Sequence, residues 1–163
     1  IFSNYNKITN NKEHLNIMMQ DTNLDNNSFD YCVAHACVHH SSKPHNSILE
    51  MYRISSKGAL IIEANDCFLT RLACKLNIAE EYELSAIKSN IDHGGVDNTE
   101  IPNYVFRWTE REIEKLIKSF DYSYDIKYFN NFFLKFIFSL FFKIFKKQQN
   151  LLSIFIQKPI NLM

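Results

Sequence analysis

The sequence contains few glycines, and none of them belongs to a nucleotide-binding loop. Only Gly58, Gly94 and Gly95 occur in 163 residues. A glycine-rich loop that holds a nucleotide or dinucleotide requires several glycines close together at the end of a strand. The sequence therefore excludes such a loop within residues 1–163.

The sequence also lacks a surplus of charge and a pattern of paired cysteines. Eighteen Lys and Arg residues balance eighteen Asp and Glu residues, so we expect no general attraction to nucleic acid. The four cysteines form no Cys-x-x-Cys pair, and 46% of the residues are hydrophobic, which is enough for a core without disulfides. Residues 1–11 are polar, so we expect no secretory signal. These features predict a cytoplasmic protein with reduced thiols.

Short apolar runs predict a buried sheet in the first half of the chain. Buried strands are expected at Leu15–Gln20, Phe29–Ala34 and Ala59–Glu63. A helix is expected from Pro44, because proline is tolerated in a first helical turn, and Ser55–Gly58 is expected to end it. Uniformly apolar strands separated by a helix are typical of a parallel sheet covered on both faces.

The second half of the chain contains weaker signals and one strong one. Thr109 and Glu112 have the spacing of a capping box, which predicts a helix with a reciprocal pair of hydrogen bonds at its first turn. A further helix is expected at Phe68–Leu76, and strands are expected at Ser123–Phe129 and Leu151–Gln157.

The segment 131–147 is rich in phenylalanine and lysine. Its apolar run is shorter than the roughly 20 residues that a membrane-spanning helix needs. One interpretation is a helix packed on the sheet. The other is a helix on a membrane surface with lysines facing the head groups, which would make the protein a peripheral membrane protein.

Several segments in a fixed order resemble one enzyme family. The segment DTNLDNNSFDY (21–31) resembles a strand end, loop and strand start of that family, and HACVHH (35–40) is similar to the stretch that follows. LEMYRI (49–54) and KGALIIEAND (57–66) resemble the next helix and strand. Over about residues 15–66 the chain resembles Rossmann-like S-adenosylmethionine-dependent methyltransferases. The segment NYVFR (103–107) resembles the corresponding stretch of methyltransferases found among polysaccharide-biosynthesis proteins.

The resemblance implies an α/β fold of the Rossmann-like methyltransferase type. Its sheet would be mainly parallel, with helices on both faces, and the N-terminal glycine-loop unit of the family would be missing. The chain is then one partial domain, 1–163. Its expected parts are a polar segment 1–14, a strand–helix–strand core 15–66, a substrate-side insertion 67–106 and C-terminal helices and strands 107–163.

The resemblance also implies where S-adenosylmethionine would bind. Asp21 would accept a hydrogen bond from the adenine amino group, with the Thr22 backbone supporting the ring and Asn23 beside it. His35 and Ala36 would face the methionine part of the cofactor. For Asp21 the alternative is a residue that only starts a turn.

Four more residues are candidates for acceptor binding and chemistry. His39 and His40 are candidate catalytic residues, because a neutral imidazole takes up a proton near pH 7. The alternative is that one histidine packs under the sheet and the other caps the next helix. Asn65 and Asp66 are candidate substrate contacts or turn residues. No familiar zinc-ligand spacing occurs, so we predict no metal site.

The expected function is therefore methyl transfer from S-adenosylmethionine to a small-molecule or glycan acceptor, in surface polysaccharide biosynthesis for example. The alternative is a degenerate, non-catalytic methyltransferase-like module that binds a partner. The missing glycine loop is the feature that favours the alternative.

Overall fold

The computed structural model describes residues 15–89, 93–121, 125–129 and 151–157. These residues form an α/β fold, which confirms the predicted class. One short 3-10 helix lies at Val38–His40 and another at Val96–Asn98. The strands and longer helices, in chain order, are β1 (Phe29–His35), α1 (Pro44–Ile54), β2 (Ser55–Ala64), α2 (Phe68–Lys75), α3 (Leu84–Ser89), α4 (Glu110–Phe120), β3 (Asp125–Phe129) and β4 (Leu151–Gln157).

The four strands form one sheet in the order β1-β2-β4-β3. β1 and β2 are parallel, with Ala34 opposite Ile61. β4 is antiparallel to both β2 and β3. Because β1 and β2 run the same way, the residues that follow them emerge at one edge of the sheet.

The core lies on one face of this sheet. Alternate residues of β1, β2 and β4 point into it, and α1 and α4 cover it. The cluster contains Ala34, Val38, Ile48, Met51, Tyr52, Ala59, Ile61, Trp108, Ile113, Ile117, Ile154 and Ile156. Each large apolar side chain buried there stabilises the fold by about 1.5–3 kcal/mol.

Two predictions about strand burial are wrong. Leu15–Gln20 is not a strand: Leu15, Ile17 and Met18 are exposed, and Met18 bridges only Asp21 across a turn. A strand needs a neighbouring strand to satisfy its backbone, and no described residue pairs with 15–17. In β1, Val33 remains 68% exposed, because no described element covers its face of the sheet.

The α1–β2 junction also differs from the prediction. α1 begins at Pro44, as expected, but it ends at Ile54 and the chain enters β2 directly at Ser55. Gly58 lies inside β2 with extended backbone (φ 159°), so it does not terminate the helix. The carbonyl of Met51 accepts the N–H of Ser55, and this bond closes the last helical turn without a glycine.

α4 has half of the predicted capping box. The Thr109 hydroxyl accepts the backbone N–H of Glu112 at 3.1 Å, so Thr109 is the N-cap. The Glu112 carboxylate does not return to the cap. It lies 3.0 Å from His45 Nε2 instead, because α1 brings that imidazole within reach. The predicted helix itself is confirmed, and so are α2, β3 and β4 to within a few residues.

The segment 131–147, with its predicted amphipathic helix, lies outside the described residues. Within the described part of the chain, no helix is long and apolar enough to cross a membrane. Contact with a membrane surface through 131–147 therefore stays a prediction.

Candidate functional site

The loop after β1 turns sharply and places two histidines at the edge of the sheet. Ala36 adopts a left-handed backbone (φ 49°), which costs a residue with a side chain on the order of 1 kcal/mol. The Ala36 N–H donates to the carbonyl of Ile62 at 2.9 Å. The chain then forms the 3-10 helix Val38–His40, so both His39 and His40 lie beside the end of β2.

The Glu63 carboxylate contacts three groups of this loop. Glu63 is the ninth residue of β2 and is 1% exposed. Its Oε1 accepts the backbone N–H groups of Cys37 at 2.9 Å and Val38 at 2.7 Å. Its Oε2 lies 2.8 Å from His39 Nδ1. A buried carboxylate is stable only with such partners, so Glu63 and the loop require each other.

His39 is buried between two carboxylates. Besides Glu63, the Glu83 Oε1 atom lies 3.3 Å from His39 Nε2. Burial disfavours the charged imidazolium, but the hydrogen bond and charge of Glu63, with the charge of Glu83, outweigh it. The pKa of His39 is therefore raised above its ordinary value.

Two residues of the segment 67–106 complete the cluster. Glu83 Oε2 lies 3.4 Å from His40 Nε2. The Asn103 amide nitrogen lies 2.7 Å from His40 Nδ1 and 3.0 Å from the carbonyl of Gly94. The backbone carbonyl of Asn103 also accepts the backbone N–H of Glu83 at 2.9 Å. The predicted insertion is thus fastened to the histidine loop.

The sequence predicted His39 and His40 but not the acidic and amide residues around them. A usable signal existed for Glu63, since it is the one charged residue in the apolar run GALIIEA, and a charge there needs a partner. Glu83 lies in an ordinary acidic stretch, and nothing in its surroundings singles it out. The structural alternative for the two histidines holds only in part. His39 is buried, but His40 contacts Asn103 and does not cap α1, whose N-cap is Lys43.

Most of the predicted cofactor-binding residues are exposed to solvent. Asp21, Asn23, His35 and Ala36 are exposed. Thr22 is buried, and both its backbone N–H and its hydroxyl donate to Glu50 Oε1, at 3.0 and 2.6 Å. The Thr22 N–H is therefore occupied by Glu50, and support of the adenine ring by the Thr22 backbone stays a prediction.

The Thr22 contact belongs to a network that ties the loop 21–27 to α1. Arg53 donates to both oxygens of Glu50 and to the carbonyl of Leu24. The Arg53 guanidinium and the donors of Thr22 lower the pKa of Glu50 from 4.5 to about 2. This network fixes the backbone that presents Asp21 and Asn23.

The remaining candidate residues line two different cavities. One, of about 190 Å³, is lined by residues that include Gln20, Cys37 and His40, so the segment before Asp21 and the histidine loop share it. Asn65 and Asp66 line a different cavity of about 650 Å³. There Asp66 accepts two hydrogen bonds from Arg71, at 2.7 and 2.6 Å.

The loops at this edge belong to a stretch with a recognisable family signature. Residues 4–62 match the model of the methyltransferase domain family. The match includes β1, α1 and most of β2, and it confirms the predicted resemblance to Rossmann-like methyltransferases over this stretch. Glu63, Glu83 and Asn103 lie beyond it. No protein with a curated description matches the chain.

Solved structures give a weaker likeness. A methyltransferase of Thermotoga maritima, described as a possible histamine N-methyltransferase, is 14% identical, with 86% of this chain and 61% of that chain covered and a TM-score of 0.43. A putative Bacillus halodurans methyltransferase is 13% identical, with 90% of this chain and 78% of that chain covered and a TM-score of 0.47. A Haemonchus contortus phosphoethanolamine N-methyltransferase with bound S-adenosylhomocysteine is 12% identical. The match covers 86% of this chain and 36% of that chain, with a TM-score of 0.44.

This chain spans less than two thirds of the length of the Thermotoga protein.

Proposed function

We propose that the protein containing this chain transfers the methyl group of S-adenosylmethionine to a small-molecule or glycan acceptor. The observation that carries this proposal is the family match over residues 4–62. It falls on a strand–helix–strand unit with parallel strands, and the residues after such strands form the usual ligand edge of an open α/β sheet.

The cofactor would bind beside the loops that follow this edge. The exposed Asp21 carboxylate is a suitable acceptor for an adenine amino group, and it follows a segment that shares a cavity with Cys37 and His40. His35 and Ala36 lie at the end of β1 and would face the methionine part. Among the described residues, this set fits only part of the cofactor, because Thr22 is turned toward Glu50.

The acceptor would bind on the histidine side. The segment 67–106 supplies Glu83 and Asn103 to the cluster, which supports its role as the cover over the acceptor. In the transfer, the acceptor atom bonds to the methyl carbon while the bond from that carbon to sulfur breaks and leaves its electron pair on sulfur. The acceptor gives up a proton, and we propose that His39, His40 and Glu83 prepare its attacking group for that loss.

Calorimetric titration of the full natural protein with S-adenosylhomocysteine tests the cofactor assignment. We expect a micromolar dissociation constant, equivalent to about −8 kcal/mol. Asp21→Asn should weaken binding about tenfold, because the amide presents a weaker acceptor. The matched control is Asp25→Asn, an exposed residue of the same loop, which should leave binding unchanged. Absence of binding by the folded full-length protein would refute the proposal.

A further inference from the structure

The histidine cluster has the composition and spacing of a metal site that the sequence did not predict. We propose that His39, His40 and Glu83 bind a divalent transition-metal ion, for which Zn²⁺ is the best match. The binding itself is inferred from the geometry of the cluster. Any part that the metal plays in methyl transfer rests on the function proposed above.

The spacing of the three side chains suits a small tetrahedral ion. One nitrogen of each histidine and one carboxylate oxygen of Glu83 lie within 4.8 Å of one another. Glu83 oxygens lie 3.3 Å from His39 Nε2 and 3.4 Å from His40 Nε2. Zinc bonds to imidazole nitrogen and carboxylate oxygen measure about 2.0–2.1 Å, which places tetrahedral ligands roughly 3.3 Å apart.

The charge of the cluster favours a cation. Glu63 and Glu83 are both carboxylates, and within the described part of the chain neither of them pairs with a lysine or an arginine. Their only charged or chargeable partners there are the two imidazoles. A divalent ion compensates two carboxylates and leaves both imidazoles neutral, the form in which they ligate metals.

The outer contacts of His39 are those of a metal ligand. Glu63 holds the Nδ1 side at 2.8 Å, and Glu63 is itself fixed by the backbone N–H groups of Cys37 and Val38. A carboxylate that accepts the Nδ1 proton leaves the Nε2 lone pair for an ion and fixes the orientation of the ring.

Metal binding by His40 would require a change in its hydrogen bond to Asn103. The Asn103 amide nitrogen donates to His40 Nδ1, so the proton of His40 is on Nε2, toward Glu83. A metal would replace that proton, and His40 would then carry its proton on Nδ1. The Asn103 amide would have to turn over to accept it with Oδ1, a buried atom that has no hydrogen-bond partner within the described residues. Its nitrogen would then give up the hydrogen bonds to the Gly94 carbonyl and to Glu83 Oε2.

Access and ligand type point to an open, zinc-like site. The side chains of His40 and Glu83 are 36% and 30% exposed, while that of His39 is 5% exposed. An ion would therefore keep a position open to solvent or to a ligand, as in catalytic zinc sites. Two imidazoles select transition metals over Mg²⁺ and Ca²⁺, which prefer oxygen ligands.

An open position gives the metal a role in the proposed reaction. An acceptor hydroxyl bound there would lose its proton to water more readily, as zinc-bound water does. The resulting oxygen would form the new bond to the methyl carbon. Sulfur would keep the electron pair of the broken bond.

The test is titration of the metal-free, full natural protein with Co²⁺ and with Zn²⁺. We expect a dissociation constant of micromolar or below by calorimetry, and visible Co²⁺ absorption of a tetrahedral site that Zn²⁺ abolishes. Mg²⁺ should give no comparable heat. Glu83→Gln should weaken Zn²⁺ binding at least tenfold, whereas Glu80→Gln, an exposed neighbour, should leave it unchanged.

Further variants keep the test independent of folding and of the proposed function. Asn103→Asp offers His40 Nδ1–H a carboxylate and should retain or strengthen Zn²⁺ binding, while Asn103→Leu should weaken it. S-adenosylhomocysteine binding, measured on the same samples, should not change with Glu83→Gln. Absence of Zn²⁺ binding by the folded protein, or equal binding by wild type and Glu83→Gln, would overturn the metal site and leave the cofactor assignment standing.

Discussion

His39 Nδ1 lies 2.8 Å from Glu63 Oε2, and both side chains are buried. The pair joins the end of β2 to the loop that follows β1. Because the other oxygen of Glu63 holds two backbone N–H groups of the same loop, one carboxylate determines the position of both histidines.

Glu63→Gln should destabilise the fold by about 2–3 kcal/mol, because it removes one charge of a buried pair while keeping most of the shape. Denaturant unfolding, followed by the fluorescence of the buried Trp108, gives the change in unfolding free energy. Trp108 is the single tryptophan of the chain, so the signal has one source. The control is Glu80→Gln on an exposed position, and equal stability of the two variants would contradict the structural role of Glu63.

Acid should weaken the connection between the loop 21–27 and α1. The folded-state pKa of Glu50 is about 2, against an ordinary 4.5. A lowered carboxyl pKa contributes stability above the ordinary pKa, and that contribution disappears as pH falls from about 4.5 toward 2. Wild type should therefore lose more stability in this pH range than Glu50→Gln. Parallel slopes of unfolding free energy against pH would show that Glu50 makes no such contribution.

Gly95→Ala should destabilise the turn that leads toward Asn103. A Cβ atom at this position would lie 1.9 Å from the Ile101 carbonyl oxygen and 2.7 Å from that of Thr99. Both atoms are backbone, so the turn itself must shift, at a cost of about 1–3 kcal/mol. Chemical denaturation measures the loss. Ser85→Ala, on an exposed position of α3, should be nearly neutral.

Thr109→Ala should cost about 1 kcal/mol through loss of the α4 N-cap. Thr109→Ser keeps an oxygen that accepts the Glu112 N–H and should retain most of the stability. The thermal midpoints of the two variants give the comparison. If serine and alanine behaved alike, the loss would come from the threonine methyl group and not from the cap.

The candidate site was only partly predictable. His39, His40 and the strand before them were found because apolar runs and a family-like segment mark them. Leu15–Gln20 has the same apolar character but forms no strand, since pairing depends on a neighbour that a local pattern does not reveal. The hydrogen bond from the Thr22 N–H to Glu50, 28 residues away in the sequence, was unpredictable for a similar reason.

The sequence alone determined the elements whose stability is local. Hydrophobic periodicity, Pro44 and the Thr109 cap set α1 and α4, and short apolar runs set β1, β2 and β4. Tertiary structure alone decided that Glu83 and Asn103 contact the histidines. Glu83 lies 44 residues from His39 in the sequence, and Asn103 lies 63 residues from His40. Contacts at such separations depend on how the segment 67–106 packs over the sheet edge. No spacing rule within a helix or strand determines that packing.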